Sequence, residues 1–244
     1  MKTIRFFSKI SGVADACPII PAKEYTAKWM EAAKEDYVRV LKENVGRFEH
    51  VYQCPGIFDL FNQGVIVPLW HDVMIKTTDN RSGFQWMIPS NDVVDLMKPV
   101  SPIEKHKDGL DRFIPRRHWS LDSAIKFNTP WNVVAPRGVK LLILPVAYPD
   151  IVDFESSIGL LDPAVSSEIN LQIWWNKINS EVMLKAGTPM AHIIPLSEET
   201  FKYEISDMTD HDEKWLKKQN YLRYFTFRTR RNLIKDLYYK HFGK

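Results

Sequence analysis

The sequence predicts a mainly β protein, α+β overall. The expected architecture is a β-sandwich, jelly-roll-like or β-clip-like, with an N-terminal amphipathic helix and a basic C-terminal helical extension. Three observations lead there. Between residues 65 and 195, short runs of alternating apolar and polar residues are separated by Gly- and Pro-containing turns. Helical spacing is confined to two stretches, one near 26–44 and one from 212 onward. A hydrophobic content of 45% against 26% charged residues, in 244 residues, suits one packed domain with appendages. The expected organisation is therefore a β-rich domain over 1–211 and an extension over 212–244.

Taken in order, TIRFF (3–7) reads as a short strand, and the prolines of CPIIPAKEY hold the next segment extended. Within AKWMEAAKEDYVRVLKEN, Met30, Ala33, Tyr37 and Leu41 share one helical stripe. From 65 the period becomes two. Val65, Val67, Leu69, His71, Val73 and Ile75 fall on one face of a strand over 65–76, and FQWMIP returns to form a hairpin over 65–89. Residues 90–118 are polar and Pro-containing, with EKHKDGLDRFIPRRH reading as an exposed loop or short helix. SAIKFNTPWNVVAP and GVKLLILPVAY are strands, the second apolar enough to be buried on both faces. EINLQIWWN alternates, with Ile169, Leu171, Ile173 and Trp175 inward and Asn170, Gln172 and Trp174 outward. SEVMLKAGTPMAHIIP supplies a strand, a corner and a further strand.

The net charge of +3 conceals an asymmetry: residues 214–244 hold ten Lys/Arg against one acid, Asp236. That segment carries +9, leaving −6 for the rest. Two distant cysteines, Cys17 and Cys54, argue against a stapled secreted scaffold. The first residues lack the apolar run of a signal peptide, and no stretch approaches a membrane span. The expectation is a soluble protein without membrane contact.

Within 130–196 the order of Pro136 and Gly138, a buried strand, Gly159 and Asp162, an alternating strand to Asn176, then Gly187 and Ala191 resembles the trimeric dUTPase and dCTP deaminase family. That resemblance implies a fold, and a role for Asp162 in positioning a water. The family's base-stacking tyrosine is replaced by Val165, and the stretch to Asn176 is one residue longer. LPVAYPD lacks the arginine and serine of its phosphate segment, and only Gly243 lies beyond Gly187 where the family has a glycine-rich flap. The likeness speaks for the hairpin and against the activity. A broader resemblance, through Cys54, Pro55 and Asp59, the 65–76 strand, FNTPWNVVAPRG and KAGTPMAHIIP, is to an uncharacterised protein family of tailed phages, especially marine ones. It implies a phage origin, a host-cytoplasmic or virion-associated location and no mechanism.

The candidate residues divide by chemistry. Asp162 is the catalytic candidate, weighed against a turn residue preceding Pro163. Trp70, Asp72, Trp131, Trp174 and Trp175 are ligand-pocket candidates: Trp70 and Asp72 as a cleft lining weighed against plain exposure, the other three as an aromatic platform weighed against a sandwich plugged by tryptophans. His71, on the apolar face, reads as a hydrogen-bonded core histidine. His106, Asp108 and His192 have the residue types of an iron facial triad, but a solvated loop is a poor platform for it, and no metal is expected. Arg228, Arg230, Arg231 and Lys235, interleaved with aromatics, suit nucleic acid or docking on the body or a partner. No nucleophile elbow, phosphate loop, dinucleotide fingerprint or zinc spacing occurs, and no cofactor is expected. The balance is a non-enzymatic phage-type accessory protein, an assembly or binding module that forms a homo-oligomer or docks on phage or host proteins. The alternatives are a nucleotide-like ligand site or degenerate hydrolase, and nucleic-acid binding through the tail.

Overall fold

The computed structural model describes residues 1–43, 49–78, 80–89, 95–98, 101–106, 118–222 and 227–243. Strand outweighs helix, and the described strands form three sheets. Sheet A runs β14 (Phe201–Asp207), β1 (Lys2–Ser8), β7 (Ile125–Val134), β11 (Glu168–Trp175) and β9 (Phe154–Ser156), and β6 (Ile103–Lys105) also pairs with β7. Sheet B runs β10 (Gly159–Leu161), β8 (Leu141–Leu144), β13 (Pro189–Pro195), β3 (Val65–Pro68) and β2 (Ile20–Pro21). Sheet C is β12 (Ser180–Leu184), β4 (Val73–Thr77) and β5 (Phe84–Met87). The β1–β14 pairing is parallel. Helices are α1 (Val13–Ala16), α2 (Lys28–Glu43), α3 (Pro55–Phe61), α4 (Asp210–Leu222) and α5 (Phe227–Phe242).

One apolar core joins the sheets. Ile4, Phe6, Trp131, Ile169 and Leu171 of sheet A meet Val65, Val67, Leu141, Ala191 and Ile193 of sheet B, with Val73, Ile75 and Leu184 of sheet C at one end. The alternation expected for β11 is observed, with Ile169, Leu171, Ile173 and Trp175 buried. In β7, Pro130 supplies no N–H to a ladder. The Thr129 hydroxyl bridges the gap, donating to the Ile169 carbonyl and accepting from the Trp131 N–H at 3.2 Å.

Three expectations are corrected. Residues 65–76 are two strands in different sheets. The chain turns at Leu69–Asp72, where Leu69 exchanges backbone hydrogen bonds with Thr188 and Gly187 at 2.7 Å. The hairpin is therefore 73–87, although the odd-numbered face from Val65 to Ile75 is buried throughout. The strand buried on both faces is β7 rather than β8, whose Leu142, Ile143 and Leu144 are half-buried. The helical stripe of α2 docks only at its start: Met30 is buried and Leu41 is exposed. Most of 90–118 lies outside the described residues.

At Gly64 the chain passes beneath β13 with φ of 77°, and a Cβ there would sit 2.1 Å from the Ile193 carbonyl oxygen. Only glycine fits both the left-handed conformation and the close approach.

Candidate functional site

The extension begins with a reciprocal cap. Thr209 Oγ1 accepts from the Asp212 N–H at 3.3 Å, and the Asp212 carboxylate accepts from the Thr209 N–H at 3.0 Å, closing the first turn of α4. The same carboxylate, fully buried, is held by both terminal nitrogens of Arg5 on β1. Burial pushes the Asp212 carboxyl up, but the hydrogen bonds from Arg5 and Thr209 prevail and hold it below the ordinary range. Trp215 of α4 and Tyr238 of α5 then pack on Phe7, Val134 and Ala164. The Tyr238 hydroxyl accepts from the Ala135 N–H at 2.8 Å and donates to the Ala135 carbonyl at 3.1 Å.

This packing carries Lys235 to Asp162. Lys235 Nζ lies 2.7 Å from Asp162 Oδ2, and Arg231 lies 3.9 Å from the same oxygen. Asp162 Oδ1 accepts from the Ala164 N–H at 3.2 Å, and its backbone carbonyl accepts from Val165 and Ser166. The catalytic candidate and two members of the basic tail thus form one electrostatic contact. Arg228 and Arg230 fall in α5, with side chains outside the described residues.

The ligand-pocket candidates scatter. Trp131 and Trp175 are fully buried core residues, which removes them from any surface cleft, and Trp175 stacks on Phe154. Among the described residues, the indole N–H groups of Trp131, Trp175 and Trp215 find no acceptor. Trp70 stands edge-on to His71, and the gap beside them, about 10 Å³, has room for no more than a water. Asp72 binds Lys185 at 2.8 Å and the Ala186 N–H at 2.8 Å, tying down the turn before β13. Trp174 lies half-buried on the outer face of β11, opposite Trp175.

The histidines serve structure. Burial lowers the His71 pKa against a hydrogen bond from its Nδ1 to the Asp72 carbonyl at 2.9 Å. His192 is lowered the same way; its Nε2 donates to the Gln63 carbonyl at 2.7 Å and its ring stacks on Phe61. His106 bonds Gln172 on the outer face of sheet A, whereas His192 lies on the outer face of sheet B. They do not converge, and Asp108 lies outside the described residues. Among the described residues no His, Cys, Asp or Glu cluster suits a metal, and no helix is long and apolar enough to cross a membrane.

Two surface features were missed from sequence. A cleft of about 450 Å³ over the outer face of sheet A is lined by Lys9, Lys126, Asn128, Glu168, Asn170 and Asn220. Its cations are answered locally, Lys126 by Glu104 at 2.8 Å and Lys9 by Glu168 at 3.5 Å. The second is an apolar row on the outer face of sheet B, where Leu160 opposes Leu142 and Leu142 opposes Ile194. Leu160 is 56% exposed, with Ile158 and Leu196 exposed nearby. The other end of that face, around Ile66 and His192, is covered by Ala22, Tyr25 and Phe61. The signal for both lay in cross-strand partners, which a linear reading does not supply. No protein-family model matches the chain, and no curated protein matches it either.

Proposed function

We propose that the protein is a non-enzymatic, phage-type accessory protein that works as an assembly module, with a second copy of itself as partner. The observation that carries this reading is the apolar row Leu160–Leu142–Ile194, exposed at Leu160 of the terminal strand β10 and half-buried at Leu142 and Ile194. Natural sheets guard such edges with charges or prolines, yet residues 156–161, SSIGLL, contain neither. An uncharged edge suits another uncharged edge. Antiparallel pairing of two β10 strands about a twofold axis would continue the apolar row from one copy into the next and remove both edges from water. A hydrolase reading asks for an Asp162 free to hold a water, and Lys235 competes for that carboxylate.

Sedimentation velocity across the micromolar range tests the proposal. The expected result is a reversible dimer, with Leu160→Glu monomeric and its melting temperature within a few degrees of wild type. A wild-type chain that stays monomeric throughout overturns it.

A further inference from the structure

The outer face of sheet C departs from what a water-facing sheet should carry. Met183 of β12 opposes Met74 of β4, and Met74 opposes Met87 of β5, so three thioethers stand in one row across the sheet. Met87 is 51% and Met183 41% exposed, and Met74 between them is half-buried. The chain has eight methionines, so three of eight are gathered on one row. The next row on the same face, Glu181, Lys76 and Gln85, is polar as expected, with Lys76 ion-paired to Glu181 at 3.6 Å. Beyond the other end of the row, Lys185 pairs with Asp72 at 2.8 Å. The opposite face does the packing, through Val73, Ile75 and Leu184.

Directly opposed residues on antiparallel strands hold their Cβ atoms about 4.5–5.5 Å apart. Methionine is unbranched and flexible, so sulfurs from three adjacent strands can converge above the central one. A thioether is a neutral, soft donor. Oxygen-seeking cations gain little from it, whereas copper(I) is selected by it. The flanking carboxylates of Glu181 and Asp72 are each answered by a lysine, which leaves the row without a hard ligand of its own.

We propose that Met74, Met87 and Met183 form a binding site for a soft monovalent d10 cation, copper(I) or its surrogate silver(I). The test uses the full chain carrying ¹³C-methyl methionine, titrated with silver(I) and, without oxygen, with copper(I). A Cys17→Ser/Cys54→Ser background removes the competing thiols. The expected result is joint movement of the Met74, Met87 and Met183 methyl resonances to one shared end point, with buried Met30 and Met190 unmoved. Met74→Leu/Met87→Leu/Met183→Leu should weaken silver binding at least tenfold while keeping the fold, since leucine conserves volume. If the triple variant does not fold, Met87→Leu alone, at the most exposed position, should still show the weakening. Unmoved resonances, resonances that titrate separately, or an undiminished affinity in the leucine variants would each overturn the site. Methyl shifts that follow protein concentration instead of cation would overturn it too and reassign the row to protein docking.

Discussion

Lys235 and Asp162 meet at 2.7 Å, although one belongs to the basic C-terminal helix and the other to the turn that follows β10. The Asp162 side chain is only 13% exposed, so removing Lys235 leaves a carboxylate in poor contact with water and with only the more distant Arg231, at 3.9 Å, near that oxygen. Lys235→Ala should cost about 1–2 kcal/mol, between the values for surface and buried pairs. Lys235→Ala/Asp162→Asn should recover part of that loss. Chemical denaturation of both variants measures it, and equal losses in the two would mean that the carboxylate left without Lys235 costs nothing.

Arg5 and Asp212 tie the first strand to α4. Arg5→Ala or Asp212→Asn should destabilise by about 2–4 kcal/mol, because each leaves its partner's charge or hydrogen bonds unanswered. Thermal melts should fall by roughly 5–15 °C. The Asp212 carboxyl is held below its ordinary value. Its contribution is therefore complete above about pH 4 and disappears as pH falls through the lowered native value. In Asp212→Asn, the acid limb of the stability curve should be shallower than in wild type.

His71 and His192 make a prediction at higher pH. Burial lowers both, so below about pH 6.5 the unfolded chain takes up protons that the native state refuses. Stability should decline as pH drops through that window and hold above it. Urea unfolding at a series of pH values should show His71→Gln/His192→Gln with a flatter dependence than wild type. An unchanged slope would assign the acid sensitivity to other groups.

Gly64→Ala should be among the most damaging single changes. The new Cβ meets the Ile193 carbonyl oxygen at 2.1 Å in a backbone held at φ 77°. Strands β3 and β13 must separate to admit it. A loss of about 3 kcal/mol or more is expected from urea midpoints, whereas Gly56→Ala, with no atom near the added Cβ, should be nearly neutral.

Where period and burial coincide, the sequence was readable. The inward residues of β11, the odd-numbered face from Val65 to Ile75 and the helices at both ends followed from spacing alone. Strand β14 carries the alternation of Phe201, Tyr203 and Ile205 with Lys202 and Glu204, but nothing local marks it as part of a sheet. Its partner β1 lies some two hundred residues away, and parallel pairing leaves no local turn to announce it. The break after Pro68 escaped for a similar reason, because the backbone groups that turn the chain belong to Gly187 and Thr188. Of the candidate site, Asp162 and Lys235 were each singled out, but for different chemistries. Only the packing of Trp215 and Tyr238 on Phe7 and Val134 brings them together.

The parallel partnership of β1 and β14 also sets a timetable for folding. On one side β1 needs Trp131–Val134, and on the other Phe201–Asp207. A nascent chain emerging from the ribosome therefore holds Ile4, Phe6 and Phe7 in waiting until Phe201–Asp207 has been made. Such distant pairings are closed slowly, and an unpaired apolar strand is the part of an unfinished chain most prone to wrong partners.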